Sequence, residues 1–165
     1  MTAGVDCVEG YSTLIPGNNQ YVQFSLPIGF TSVSPGTLWA SAIVRLQAPS
    51  TYSGYYCRAQ PDLETNTSRI RRVDAGSNST LANDTTNPQW AAGDVVRCEI
   101  TGTSINFKKN GVTVMSASTG GEYTSGRGGI NIADDPASVF NPIDNFEVGD
   151  LGAVAIVRHR AVVIQ

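Results

Sequence analysis

Over residues 94–100 apolar and polar side chains alternate. Val96, Cys98 and Ile100 fall on one face, and Val95, Arg97 and Glu99 on the other. A period of two marks a strand with one buried face. Gly102 breaks the run, and Ile105 and Phe107 then alternate with Asn106 and Lys108. Asn110-Gly111 follows, the dipeptide that best tolerates the two positive φ angles of a type I′ turn. A turn there predicts Lys109 opposite Val112, Lys108 opposite Thr113 and Phe107 opposite Val114. Ile105, Phe107 and Val114 then share the core face, while Asn106, Lys108, Thr113 and Met115 face out. A slip of one residue would turn Phe107 to water.

The same period recurs elsewhere. In 20–26, Val22, Phe24 and Leu26 point inward and Tyr21, Gln23 and Ser25 outward. In 38–46, Leu38, Ala40, Ala42, Val44 and Leu46 line one face, and Trp39, Ser41, Ile43 and Arg45 the other. Both faces of that strand are largely apolar, so the second is either covered or binds something. Further strands are predicted at 54–59, 67–73, 79–82, 129–133 and 143–148. The tail after Gly152 is again β-rich. No helical period longer than one turn appears. Gly and Pro punctuate β-branched runs, which predicts an all-β antiparallel sandwich.

Composition narrows the partners. Charged residues are 15% of the chain, against about 25% in an average domain. The net charge of −3 gives no basic balance toward nucleic acid, and no apolar run approaches the ~18 residues of a membrane helix. The cysteines are Cys7, Cys57 and Cys98. An odd count cannot pair fully within one chain. Cys57 and Cys98 are expected as buried small hydrophobes and Cys7 as the exposed one, which favours production in a reducing cytosol. Met1-Thr2-Ala3-Gly4 has neither the basic nor the apolar region of a signal peptide.

The order Trp90, Gly93-Asp94, strand, Gly102, strand, Asn110-Gly111, strand, Gly126, Gly128-Gly129-Ile130, Asp144-Asn145-Phe146 resembles the second half of a concanavalin A-like jelly roll. More narrowly, it is similar to laminin G-like domains and related modules of secreted and phage proteins. Gly54-Tyr55-Tyr56, Arg72-Val73, Gly76 and Leu81-Ala82 resemble the family upstream. The likeness spans residues 19–151 and implies a jelly-roll sandwich, a fold shared by lectins, sugar hydrolases and virion proteins. Against that pattern, residues 1–18 form an N-terminal arm and 152–165 a C-terminal β extension. The extension could pair back along residues 1–15 or add to a neighbouring subunit. Cys7, Tyr11, Val154, Ile156, His159, Val162 and Ile164 are the candidate assembly residues.

Candidate chemistry is sparse. His159 is the one histidine and has no Ser or Cys elbow beside it. Retaining sugar hydrolysis needs two carboxyl groups about 5 Å apart, and Asp62, Glu64, Glu99, Asp134 and Asp135 do not reproduce alternate acids on one strand. The chain is therefore expected not to be an enzyme. No cofactor motif is present, though Asp134, Asp135 and Asp144 could hold a structural calcium. Sugars are gripped by aromatic faces and planar polar groups, and Trp39, Tyr21, Tyr56, Gln23, Arg45 and Arg58 are expected on the outward face of neighbouring strands. Arg69, Arg71 and Arg72 form a small basic cluster, expected to pair with acids or to solvate a strand. Two functions follow as expectations. One is a virion structural protein of a tailed phage, decorating a capsid or building an appendage, with itself or other virion proteins as partners. The other is a lectin-like adhesion module for surface glycans.

Overall fold

A computed structural model describes residues 7–14, 18–26, 39–47, 52–60, 68–84, 90–133, 143–152 and 156–159. The strands among them, in chain order, are β1 (Cys7–Leu14), β2 (Gln20–Ser25), β3 (Trp39–Leu46), β4 (Gly54–Ala59), β5 (Arg69–Asp74), β6 (Ser77–Asn83), β7 (Val95–Thr101), β8 (Ser104–Lys109), β9 (Val112–Ser118), β10 (Arg127–Ala133), β11 (Asp144–Asp150) and β12 (Ile156–His159). They form two six-stranded sheets. The first runs β1-β10-β3-β4-β5-β6 and the second β12-β11-β2-β7-β8-β9. The neighbours pair antiparallel. The all-β sandwich predicted from the alternation is the observed fold.

The core lies between the sheets. Val22, Phe24, Ala42, Val44, Tyr55, Ile70, Val96, Ile100, Ile105, Phe107, Ile130 and Phe146 are all buried in it. Each large apolar side chain stabilises the fold by about 1.5–3 kcal/mol through removal from water. Trp90 closes one end, stacked on Phe107 at 5.3 Å, with its indole N–H donated to Ser68 Oγ at 2.6 Å. Asp94 ties the β8–β9 turn to the start of β7. It accepts from Ala91 N–H and Asn110 Nδ2, each at 2.7 Å, and pairs with Lys109 at 2.8 Å. The signature residues Trp90, Asp94 and Asn110 thus brace the fold.

Several expectations change. Asn110 and Gly111 have φ of 51° and 82°, as a type I′ turn requires, and Lys109 and Lys108 face Val112 and Thr113. The register then shifts, so Phe107 meets Met115 instead of Val114. Met115 therefore turns into the core, at 8% exposed, and Val114 packs at its margin. The dipeptide sets the turn, but a bulge two residues away resets the phase.

Cys57 and Cys98 are not free thiols. They form a disulfide with Cα atoms 5.6 Å apart, joining β4 of one sheet to β7 of the other through the core. Parity ruled out complete pairing among three cysteines, but it never excluded one bond.

The ends also differ from expectation. β1 pairs with β10 at the edge of the first sheet, so the expected arm contributes a strand to its own sandwich. β12 pairs with β11 at the edge of the second sheet, His159 opposite Phe146 and Ile156 opposite Gly149. Residues 156–159 do not pair with β1, because the two strands belong to different sheets. Cys7 lies opposite Ile132, and Tyr11 falls where that pairing shifts register. Val154, Val162 and Ile164 lie outside the described residues.

Candidate functional site

The outer face of the first sheet is not a plain solvated surface. Register across it places Asn131, Ser41, Arg58, Arg69 and Asn83 in one row, and Ile43, Tyr56 and Arg71 in the next. Below these, Ile43, Leu46, Tyr56 and Val73 form a second buried cluster, separate from the main core. Leu46 reaches it because β3 bulges. Val44 and Arg45 together oppose the single residue Gly128 of β10, and Arg45 has a φ of 53°. Two residues against one inverts the alternation beyond that point. Leu46 was expected on the core face with Val44 and lies instead on the outer face with Ile43.

Above this floor opens a groove of about 420 Å³ lined by Trp39, Ser41, Tyr52, Tyr56, Arg58, Arg71, Val73, Gly76, Asn78 and Asn131. The Arg58 guanidinium lies 4.3 Å from the centre of the Trp39 ring, a cation–π contact that fixes both side chains. Tyr56 is 6% exposed and donates its hydroxyl to the Tyr52 carbonyl at 3.1 Å. Burial pushes its phenol well above the ordinary value, and Tyr52 adds to this. Tyr56 is thus a neutral donor at any physiological pH. Tyr52 stands at the rim, 44% exposed, with a φ of 49°. Bulky residues rarely adopt this conformation, and it is retained where surroundings enforce it. Asn131 and Ser41 are buried in the floor. Burial lowers the proton affinity of Arg71, and neighbouring Arg69 lowers it further.

Three of the six expected sugar-binding residues meet here: Trp39, Tyr56 and Arg58. The other three do not. Tyr21 and Gln23 belong to β2, which lies in the second sheet, so consecutive strands in the chain are not neighbours in space. Tyr21 is capped by Arg97, 3.8 Å over its ring, and donates its hydroxyl to Glu147. Gln23 donates to Glu147 at 3.2 Å and accepts from Arg97 at 2.8 Å.

Arg45 is 1% exposed. Its guanidinium donates to the carbonyls of Tyr123 and Gly102, each at 2.7 Å, and to that of Asn18. Burial lowers its proton affinity. The bulge swings Arg45 off the groove and into the end of the sandwich, where it clamps three segments. Gln20 completes that corner, accepting from Arg45 N–H at 2.8 Å and donating to the Gly126 carbonyl at 3.3 Å. A Cβ on Gly126 would stand 2.6 Å from the Arg45 backbone, so only glycine fits there.

The sequence reading missed Tyr52, Asn78 and Asn131 and set Arg71 apart in a basic cluster. That cluster divides. Arg71 faces the groove, while Arg72 turns to the other side and pairs with Asp74 at 2.8 Å and with Glu122. Alternation from Arg69 through Arg71 to Val73 carries this signal. The register of β5 on β4 was needed to place Arg71 opposite Tyr56.

Asp134 and Asp135 lie outside the described residues. Asp144 is exposed, and its carboxylate accepts the N–H of Asn145 at 2.7 Å. No group of three His, Cys, Asp or Glu able to hold a metal occurs among the described residues. The described residues lining the groove include no Asp, Glu or His, so they supply no carboxylate pair for glycosidic chemistry.

No protein-family model and no curated protein sequence matches the chain. Solved structures do. The carbohydrate-binding module CBM66 from Bacillus subtilis superposes with a TM-score of 0.62 at 16% identity, covering 81% of this chain and 77% of that one. The homodimeric agglutinin CG-16 from chicken liver gives 0.55 at 9% identity over 88% of this chain and all of that one. A tetrameric galectin from the sponge Cinachyrella gives 0.53 at 12% identity over 86% and 97%. At such identities the likeness shows the fold alone, an antiparallel jelly-roll β-sandwich.

Proposed function

We propose that this protein is a non-catalytic carbohydrate-binding module whose ligand lies in the groove on the first sheet. One observation carries this most: an open groove joins an indole, two phenols and planar polar groups on a buried apolar floor. Sugars present apolar C–H faces and a rim of hydroxyls. Trp39 and Tyr52 offer rings to the first, and Arg58, Asn78 and Asn131 offer planar donors and acceptors to the second. Floor residues held by packing keep that geometry preorganised. The carbohydrate-binding and lectin structures that share the fold lend support. The disulfide fits a working environment that is oxidising, as at cell or virion surfaces.

A virion structural role is the second possibility. It expected the chain ends to meet other subunits, whereas β1 and β12 pair within their own sheets. The homodimeric and tetrameric neighbours make an oligomer compatible with sugar binding.

The test is a glycan array read with wild type and Trp39→Ala, beside light scattering of the untagged chain. Saccharide binding that Trp39→Ala abolishes supports the module. An assembly that binds no saccharide would overturn it in favour of a structural subunit.

A further inference from the structure

The charges on the two outer faces are distributed differently. On the second sheet Arg97 and Lys108 both pair with Glu99. On the first, β5 projects Arg69 and Arg71 beside Arg58 of β4, Arg58 being directly opposite Arg69. No carboxylate stands among the described residues of the groove. The Nε atoms of Arg69 and Arg71 are buried and make no hydrogen bond. A buried guanidinium nitrogen without an acceptor is costly, and Arg45 Nε, away from the groove, is another; the terminal N–H groups of Arg71 are what the groove offers an incoming acceptor.

Resting on the carbohydrate reading, we propose that the ligand is an anionic glycan, and that Arg71 receives its charged group, a uronate carboxylate or a sulfate ester. Either group offers the coplanar or clustered oxygens that a guanidinium fork grips through two parallel N–H donors. The geometry divides the labour. Trp39 and Tyr52 stack on the sugar faces. Asn78 and Asn131 read hydroxyls. Arg71, opposite Tyr56 in mid-groove, selects the charge. The neutral phenol of Tyr56 does not repel an anion. Burial and Arg69 both disfavour the charged form of Arg71, and a bound anion would relieve both.

The experiment is calorimetric titration of the full chain with size-matched hexasaccharides: a neutral galactan, an oligogalacturonate and a sulfated galactan, at low and high salt. The expected result is an anionic ligand preferred over its neutral counterpart by about 10–100-fold, the range of one charge-assisted pair. The preference should shrink in high salt. Arg71→Gln should erase it while leaving residual sugar binding, and Arg71→Lys should keep part of it. Lys108→Gln, on the opposite face, should leave it intact. Which anion wins separates uronate from sulfate. Equal binding of neutral and charged ligands by wild type, still sensitive to Trp39→Ala, would overturn the anionic preference and leave the carbohydrate module standing. No binding to any hexasaccharide would overturn both.

Discussion

The two outer faces of this sandwich come from the same alternating strands and end in opposite states. On the second sheet the polar face satisfies itself. Glu147 takes Tyr21 and Gln23, Gln23 takes Arg97, and Glu99 takes Arg97 and Lys108. The Tyr21 ring seats Arg97, as the Trp39 ring seats Arg58 on the first sheet. On the first sheet an indole, two phenols and guanidinium groups surround open space. Aromatic and arginine residues alone therefore do not distinguish a site from a brace. Among the described residues, the second face pairs its cations with carboxylates, while the lining of the groove includes none.

The largest expected effect comes from cutting the tie between the sheets. The disulfide closes a loop of 41 residues, worth about 4 kcal/mol by chain entropy. Cys57→Ala with Cys98→Ala should lower the urea midpoint accordingly, and reduction of the wild type should do the same. An unchanged midpoint would mean that the sheets hold by packing alone.

Next is binding. Trp39→Ala should weaken saccharide affinity by about 30-fold, the cost of a central aromatic anchor, with little change in melting temperature. Tyr21→Ala should do the reverse, melting lower while binding as before. If Tyr21→Ala also lost binding, the second face would have to join the site.

A smaller effect separates the arginines. Arg97→Met removes one of the two cations on Glu99, the donor to Gln23 and the cover over the Tyr21 ring, and should cost about 1 kcal/mol of stability. Arg71→Met strands no carboxylate and should be neutral or stabilising in the absence of ligand. Denaturant titration of both variants checks the contrast.

The smallest is acid sensitivity. Burial works to raise the Glu99 carboxyl, but hydrogen bonds from Lys108 and Arg97 outweigh it and hold the group below the ordinary value. The folded state therefore binds that proton less readily than the unfolded chain. Its contribution is full above about pH 4.3, the ordinary glutamate value, and is lost as pH falls through the lower folded value. Melting curves of wild type and Glu99→Gln should converge in that acid window. Parallel curves would remove Glu99 from the acid response.

Alternation in the sequence was enough to place most of the strands and the Asn110-Gly111 turn, because period and turn chemistry are local, but β1 was expected as part of an arm. Alternation also failed at the bulges. One residue between Phe107 and Met115 exchanged Val114 for Met115, and Arg45 changed the side on which Leu46 lies. Neither site carries a glycine or proline to announce it. The groove was half legible for a related reason. Trp39, Tyr56 and Arg58 lie on β3 and β4, which pair directly. Tyr21 and Gln23 were misassigned because β2 crosses to the other sheet, a choice made by long-range packing. Tyr52 sits in a segment with no period at all. The disulfide was invisible for want of any distance between Cys57 and Cys98.

The bulge at Arg45 bears on anyone who would transplant this groove onto another scaffold. A single strand serves two interiors, lending Ala40, Ala42 and Val44 to one and Leu46 to the other, with Arg45 as the point where it changes sides. Copying the visible lining alone would install the aromatics over a missing cushion, since Leu46 would return to the main core. The smallest portable unit therefore includes Arg45, its partner Gln20 and the bare Gly126 beneath its backbone, none of which lines the groove.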